Sequence, residues 1–234
     1  NYYYQMKKIL LLIISIFFFF PIYSQKKKTN TYDLKSSQLS GLKFRSIGPA
    51  FMSGRIADIA INPEDENEWY VAVGSGGVWK TTNSGTTWTP IADNRSFYST
   101  GCITIDPHNT SRIWLGTGEN VGGRHVGIGD GVYLSQNVGQ NWKNMGLRKS
   151  EHISKIIVSP DDPNIVFVAS QGPLWSPGGD RGLFKTTDGG QTWKNVLEIN
   201  EWTGVTDLVI DHENSNILYA ATWKKNRNVA AHKG

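Results

Sequence analysis

One twelve-residue pattern recurs three times along this chain. In each copy Gly, an aliphatic and an aromatic residue are followed by Thr or Ser, Asn or Asp two residues later, Gly two later and Trp three later. The tryptophans lie 54 and 51 residues apart. A repeat of this period is typical of solenoids and propellers, in which each unit buries its apolar face against its neighbours. The copies are Gly77–Trp88, Gly131–Trp142 and Gly182–Trp193.

Each copy has the chemistry of a tight turn between two strands. The Asn or Asp side chain bonds to backbone amides two residues on and closes the turn, and the second glycine tolerates the positive φ that such turns need. We expect the tryptophan to begin the returning strand and to pack back over the hairpin. These positions are therefore predicted to be structural: Thr81, Asn83, Gly85, Trp88, Ser135, Asn137, Gly139, Trp142, Thr186, Asp188, Gly190 and Trp193.

The hairpins belong to units that share one order of predicted strands. An apolar first strand leads through a turn rich in acids, Pro and Asn to an apolar second strand, and the hairpin joins a third strand to a fourth. Four short antiparallel strands in about 50 residues describe a propeller blade. The predicted first strands are Arg55–Ile61, Cys102–Asp106, Ile153–Ser159 and Val205–Asp211, and the second strands are Trp69–Val73, Ile113–Thr117, Ile165–Ser170 and Ile217–Thr222.

The predicted fold class is therefore all-β, a β-propeller of four-stranded antiparallel blades with about three and a half blades present. Nine Trp, nine Tyr, nine Phe and 25 Gly fit many short strands joined by tight turns. An open propeller would expose sheet edges, so we expect an N-terminal fragment whose partners include the remaining blades of a longer chain. The predicted blades are 44–99, 100–149, 150–201 and an incomplete 202–234.

The N-terminal segment has the features of a secretory signal peptide. Two lysines, Lys7 and Lys8, precede the apolar run Ile9–Phe20, and we place the cleavage after Ser24. The run is shorter than the roughly 20 residues that a membrane span needs, although an uncleaved anchor stays an alternative. We therefore predict a secreted, periplasmic or cell-surface protein with no membrane attachment after cleavage. Residues 1–5 are read as upstream sequence and 26–43 as a linker.

Charge and cysteine content exclude several classes of protein. The formal net charge of +4 includes the two leader lysines, so the mature chain carries too little positive charge to indicate nucleic-acid binding. Cys102 is the single cysteine, which rules out an internal disulfide. No cofactor is predicted.

Function is expected on the face opposite the hairpins, where strand 2–3 and strand 4–1 connections meet. Connections longer than a fold requires concentrate function, and Gly118–Asp130 and 171–181 are the long ones. The catalytic candidates are Glu119 and Asp130. The ligand-binding candidates are Arg55, Arg124, His125, His152, Trp175 and Trp202.

Simpler interpretations stand beside these. His125 and His152 could bond only to neighbouring backbone, and Trp175 and Trp202 could pack rather than stack on a sugar or peptide ring. Arg55 could pair with a structural carboxylate. The glycine-rich connection lacks the strand–helix context of a dinucleotide site. No short spacing of metal ligands recurs, so no metal site is predicted.

From Phe44 to Ala231 the chain resembles a family of secreted bacterial propellers with BNR, or Asp-box, repeats of the form S-x-D-x-G-x-x-W. These proteins are called sortilin N-terminal-like, and often glycosyl hydrolases. The resemblance implies a chain several times longer, and the similar sortilins and photosystem II assembly factors act by binding other proteins. The runs that carry it are Phe44–Ile61, Trp69–Trp88, Gly116–Gly131, Glu151–Lys155 and Asn200–Asp207.

A glycosidase requires more than this resemblance. The run Phe44–Pro49 is similar to the F-R-I-P motif of sialidases, but Ser46 and Gly48 interrupt it. Xyloglucan-cleaving propellers carry an acid in a D-x-G-G-x-[YW] run, and here Gly74 stands in the place of that acid. The leading prediction is therefore a secreted binding scaffold for a protein, peptide or glycan ligand. The alternative is a glycoside hydrolase with a carboxylate pair.

Overall fold

The computed structural model describes residues 55–120, 126–211, 213–228, 230 and 232–233, together with Tyr3, Lys35 and Ser37. The chain divides into two compact units, Asn1–Gly48 and Pro49–Gly234. The predicted signal peptide lies outside the described residues. Within the part that is described, no helix is long and apolar enough to cross a membrane.

Three four-stranded antiparallel sheets follow one another along the chain, and a two-stranded sheet comes next. Within each sheet the strands lie side by side in sequence order. We call these sheets blades 1 to 4, and the predicted all-β class is confirmed. Blade 1 contains β1 (Ile56–Asn62), β2 (Asp65–Val73), β3 (Gly77–Thr81) and β4 (Thr89–Pro90); blade 2 contains β5 (Thr100–Asp106), β6 (Asn109–Thr117), β7 (Val132–Ser135) and β8 (Lys143–Gly146); blade 3 contains β9 (Ile153–Val158), β10 (Val166–Ser170), β11 (Gly182–Thr186) and β12 (Lys194–Leu197); blade 4 contains β13 (Thr203–Ile210) and β14 (Leu218–Lys224). A short pair follows, β15 (Asn226–Arg227) and β16 (His232–Lys233).

The second strands of blades 1 and 2 begin four residues before their predicted starts. Asn62 pairs with Asp65 and Asp106 pairs with Asn109, so only two residues form each connecting turn. Polar residues that the sequence assigned to a long turn therefore extend the hairpin. Their side chains are exposed or partly exposed, so strand pairing does not bury them fully.

The apolar core lies between neighbouring blades. The first strands pack in series, β1 on β5, β5 on β9 and β9 on β13. One apolar cluster joins blades 1 and 2 through Tyr70 and Ile103, the next joins blades 2 and 3 through Trp114 and Ile156, and a third joins blades 3 and 4. Each blade thus depends on its neighbours to bury its faces.

The hairpin turns repeat one set of hydrogen bonds. In blade 1 Thr81 Oγ1 accepts from the backbone N–H of Gly85 at 3.0 Å, and Asn83 Oδ1 accepts from that of Thr87 at 2.8 Å. The Asn or Asp side chain thus reaches four residues on rather than the expected two. Gly85 has φ +85°. The other two hairpins repeat both bonds.

Two of the hairpin tryptophans hydrogen-bond to the preceding blade. Trp142 Nε1 donates to the Ile91 carbonyl at 3.3 Å, and Trp193 Nε1 donates to the Met145 carbonyl at 2.7 Å. Trp88 in blade 1 is 38% exposed. The repeated turn therefore fastens each blade to the one before it.

The strand faces that point away from the row of blades are exposed. Ile59 and Ile61 of β1 are more than half exposed, as are Val209 of β13 and Tyr219 of β14. The sequence predicts strands covered on both faces, and this holds only for the inner blades, because β1 and β13 have a neighbouring first strand on one side within the described chain.

Candidate functional site

The strand 2–3 and strand 4–1 connections form one end of the blades, which we call the connection face. In every blade the residue after the second strand donates its backbone N–H to the carbonyl of the residue before the first strand. These four bonds place equivalent side chains at one level on each blade. They join Gly74 to Arg55 at 2.6 Å, Gly118 to Ser99 at 2.9 Å, Gln171 to His152 at 2.9 Å and Lys225 to Trp202 at 2.9 Å.

Glu119 of blade 2 is buried against blade 1. It is 2% exposed, and its two carboxylate oxygens accept hydrogen bonds from Arg55 Nη2 and Ser75 Oγ. A Cβ atom at Gly74 would lie 3.3 Å from Glu119 Cγ. The carboxylate therefore sits beside the space that the glycine leaves. Arg55 is half exposed at its side chain, so the ion pair lies at the surface of the connection face.

Asp130 has different partners. Tyr133 Oη donates to both of its oxygens, at 3.0 and 2.8 Å, and Arg148 Nη1 lies 3.8 Å away. The Asp130 side chain is 42% exposed. The two predicted acids thus share no hydrogen-bond partner in the described residues, and their pairing stays a prediction.

His152 bonds to backbone. Its ring is 3% exposed, and Nδ1 lies 2.9 Å from the Glu119 carbonyl oxygen. Burial lowers the pKa of His152 to about 4, and the positive charges of Lys225 and Arg181 add to this effect. The imidazole is therefore neutral near pH 7 and holds the Glu119 backbone in place.

Lys225 and Gln171 are two further residues of this face, and the sequence prediction missed both. The buried Lys225 Nζ donates to Gln171 Oε1 and lies 5.0 Å from the centre of the Trp223 ring. Burial, with the charge of Arg181, lowers the pKa of Lys225 to about 8. Gln171 Nε2 also donates to the Asn120 carbonyl at 3.0 Å. Aligning the four units on the position after the predicted second strand identifies Gln171. In blade 4 it gives Trp223 rather than Lys225, because the predicted strand ends at Thr222, two residues before β14 does.

Arg181 organises the long connection of blade 3. It is 4% exposed, and burial lowers the pKa of its guanidinium. Its recorded hydrogen bonds all go to backbone carbonyls, and the negative charge of Glu151 opposes part of the lowering of its pKa. Its acceptors are the carbonyls of Gln171, Pro173, Ser176, Gly178 and Trp202. A single buried cation thus ties 171–181 to the next blade.

The two predicted aromatic candidates differ in exposure. Trp175, on the connection that Arg181 holds, is 50% exposed, and the guanidinium of Arg227 lies 5.7 Å from its ring centre. Trp202 is partly buried, and its carbonyl accepts from Arg181 and from the backbone of Lys225. Trp175 is therefore the more accessible of the two rings.

Arg124 and His125 lie outside the described residues, so their predicted roles remain predictions. Among the residues that are described, no group of three or more His, Cys, Asp or Glu side chains is placed to hold a metal ion.

The neutral His152 makes stability depend on pH. The unfolded chain binds a proton at this ring below pH 6.5, whereas the folded chain does so only below about pH 4. We therefore expect the free energy of unfolding to fall by roughly 3 kcal/mol as the pH drops through this window. Urea unfolding at pH 7 and pH 4.5 measures the change, and His152→Gln should remove most of it. An equal loss in parent and variant would contradict the assignment.

Comparison with known proteins supports a partial β-propeller. No family model matches the chain. It is 20% identical over 207 residues to a probable oligoxyloglucan-reducing end-specific xyloglucanase of Neosartorya fischeri, covering 81% of this chain and 23% of that protein. It is 24% identical over 181 residues to xyloglucanase Xgh74A of Acetivibrio thermocellus, covering 70% and 20%. The chain spans about a quarter of the length of these relatives or less.

Solved structures show the same fold. An ancestral GH74 enzyme superposes with a TM-score of 0.57 at 19% identity, covering 76% of this chain and 23% of that one. The GH74 xyloglucanase from Xanthomonas campestris gives 0.55 at 16% identity, covering 71% and 26%. The three four-stranded sheets and the two-stranded sheet are therefore blades of a β-propeller.

Proposed function

We propose that the connection face binds a glycan and that the longer protein containing this chain is a glycoside hydrolase. The observation that carries this proposal is Trp175, a half-exposed indole on a connection that the buried Arg181 ties down. A rigid aromatic ring with polar neighbours suits a sugar, which has apolar faces and a polar edge. The xyloglucanase relatives favour a glycan over a protein or peptide ligand.

Hydrolysis would need two carboxyl groups flanking the glycosidic bond. Glu119 supports this role because it fills the space beside Gly74, the residue that stands where xyloglucan-cleaving propellers carry an acid. Asp130 is the accessible second acid. In this arrangement the acid missing from blade 1 is supplied by the neighbouring blade.

A scaffold that binds without hydrolysis is the second candidate, and one observation favours it. Glu119 is 2% exposed, and Arg55 and Ser75 bind both of its oxygens. A carboxylate so enclosed contacts substrate only after Arg55 moves away.

The test uses the full-length exported protein, whose N-terminus is first read by mass spectrometry. Cleavage of the proposed signal peptide after Ser24 leaves Gln25 first. We expect hydrolysis of xyloglucan or a related β-glucan, reduced at least ~100-fold in Glu119→Gln/Asp130→Asn, because each acid is needed for the bond-breaking step. Trp175→Ala should raise KM more than it lowers kcat.

The double variant keeps side-chain volume, so a folding defect is not expected. No turnover on any glycan, with binding that Trp175→Ala abolishes, would leave the scaffold as the function. If the protein showed no turnover and bound no glycan, both the hydrolase proposal and the glycan-scaffold proposal would be wrong.

A further inference from the structure

A cavity lies at the other end of the strands, between the hairpin turns of blades 2 and 3. Its volume is about 390 Å³, within the range of roughly 300–1,000 Å³ that ligand pockets span. We call it the rim cavity. Its apolar lining comes from Leu134, Trp142 and Met145, and its polar lining includes Gln136 and Gln191.

An arginine side chain bridges the equivalent gap between blades 1 and 2. Between blades 1 and 2, Arg95 reaches across and donates to the Gln140 carbonyl and, at 3.4 Å, to Asn141 Oδ1. The corresponding residue of blade 2, four after the carbonyl that accepts the indole N–H, is Lys149. Lys149 is not among the residues that line the rim cavity, and its backbone N–H donates to Asp180 Oδ2 on the connection face at 2.8 Å.

The indole in the cavity is held in a fixed orientation. Trp142 Nε1 is engaged by the Ile91 carbonyl, and the ring packs edge-on against Phe97 at 5.9 Å. Trp142 therefore offers the cavity ring surface rather than its N–H. A rigid ring loses little entropy when it contacts a ligand.

The polar lining consists chiefly of amides. The side chain of Gln136 has no hydrogen-bond partner within the described part of the chain, and Gln191 uses only Nε2, on the Asp188 carbonyl at 3.1 Å. Each amide offers both a donor and an acceptor. Lys143 is the one charged residue among those lining the cavity, and no carboxylate lines it.

We propose that the rim cavity is a binding site for a neutral oligosaccharide, separate from the connection face. An apolar floor with an indole matches the C–H faces of a pyranose, and surrounding amides match its hydroxyl groups. Because Lys143 is the one charged residue in the lining of the rim cavity, the cavity has no set of charges that would favour a strongly charged ligand. The inference stands independently of hydrolysis at Glu119 and Asp130.

The experiment titrates the full-length protein with cellotetraose and with a xyloglucan oligosaccharide by calorimetry. It is done in a Trp175→Ala background, which removes the proposed platform of the connection face. We expect residual binding that Gln136→Ala and Gln191→Ala each weaken about threefold to tenfold, the effect of one lost hydrogen bond.

Gln140→Ala is the matched control. Gln140 follows the turn glycine in blade 2 as Gln191 does in blade 3, but it does not line the cavity, so its replacement should leave the affinity unchanged. Binding that disappears in the Trp175→Ala background, or that neither cavity variant weakens, would overturn the rim site and leave the connection-face proposal intact. If replacing the rim glutamines abolished the binding of both sugars and Trp175→Ala did not, the result would support the rim site and argue against the connection face.

Discussion

Replacing Arg181 with leucine is expected to lower the free energy of unfolding by about 3 kcal/mol or more. The guanidinium is 4% exposed and its partners are all backbone carbonyls. Leucine would remove a costly buried charge, but it would leave several buried carbonyls without donors, and this second effect dominates. Urea unfolding monitored by circular dichroism measures the loss.

The same variant should weaken glycan binding about tenfold, because the connection that carries Trp175 loses its anchor. Arg148→Leu is the control. That side chain is 67% exposed and lies 3.8 Å from its carboxylate partner, so its loss should change stability by no more than about 0.5 kcal/mol. If Arg181→Leu were as stable as Arg148→Leu, the carbonyls would be satisfied without the guanidinium, and its positioning role would be refuted.

Replacing Gly118 with alanine is expected to cost roughly 2–5 kcal/mol. Gly118 has φ +82°, and a Cβ atom there would overlap the carbonyl oxygen of Glu151. That carbonyl cannot withdraw easily, because it accepts the backbone N–H of Gly129 at 2.8 Å and Glu151 itself has φ +55°. The substitution should also displace Glu119, the next residue.

Gly178→Ala separates the two causes. Gly178 has φ +74°, but no heavy atom lies within 4 Å of where its Cβ would be, so its replacement carries only the cost of the backbone conformation, about 1–2 kcal/mol. The excess loss in Gly118→Ala, measured by urea unfolding, then reports the steric overlap. Equal losses in the two variants would show that the connection around Gly118 relaxes freely.

The repeat makes the fold predictable from sequence. A motif that returns three times in register carries its own internal check, and alternating turns and apolar runs define the strands between copies. The errors are local. The turns after Asn62 and Asp106 are shorter than predicted, because pairing with the first strand extends each second strand through polar residues of low β-propensity.

The site is less predictable, because its partners come from different blades. Glu119 could be recognised as an acid in a long connection, but its bond to Arg55 spans 64 positions in sequence and depends on how blades pack. From sequence alone Arg181 and Lys225 would be expected at the surface, because arginine and lysine are almost never fully buried without partners. Their acceptors are backbone carbonyls and an amide, which sequence patterns do not reveal.

The four backbone hydrogen bonds at the connection face have a consequence for how such a protein diversifies. The bonds from Gly74, Gly118, Gln171 and Lys225 use main-chain atoms alone, so the same bond forms where one blade carries glycine, another an amide and another a cation, although the backbone conformation and close packing at Gly118 require glycine there. Neighbouring side chains at this level then set the local chemistry, blade by blade. A scaffold built in this way can acquire a new specificity through single substitutions of these neighbouring side chains, while its strand pairing and backbone hydrogen bonds remain the same.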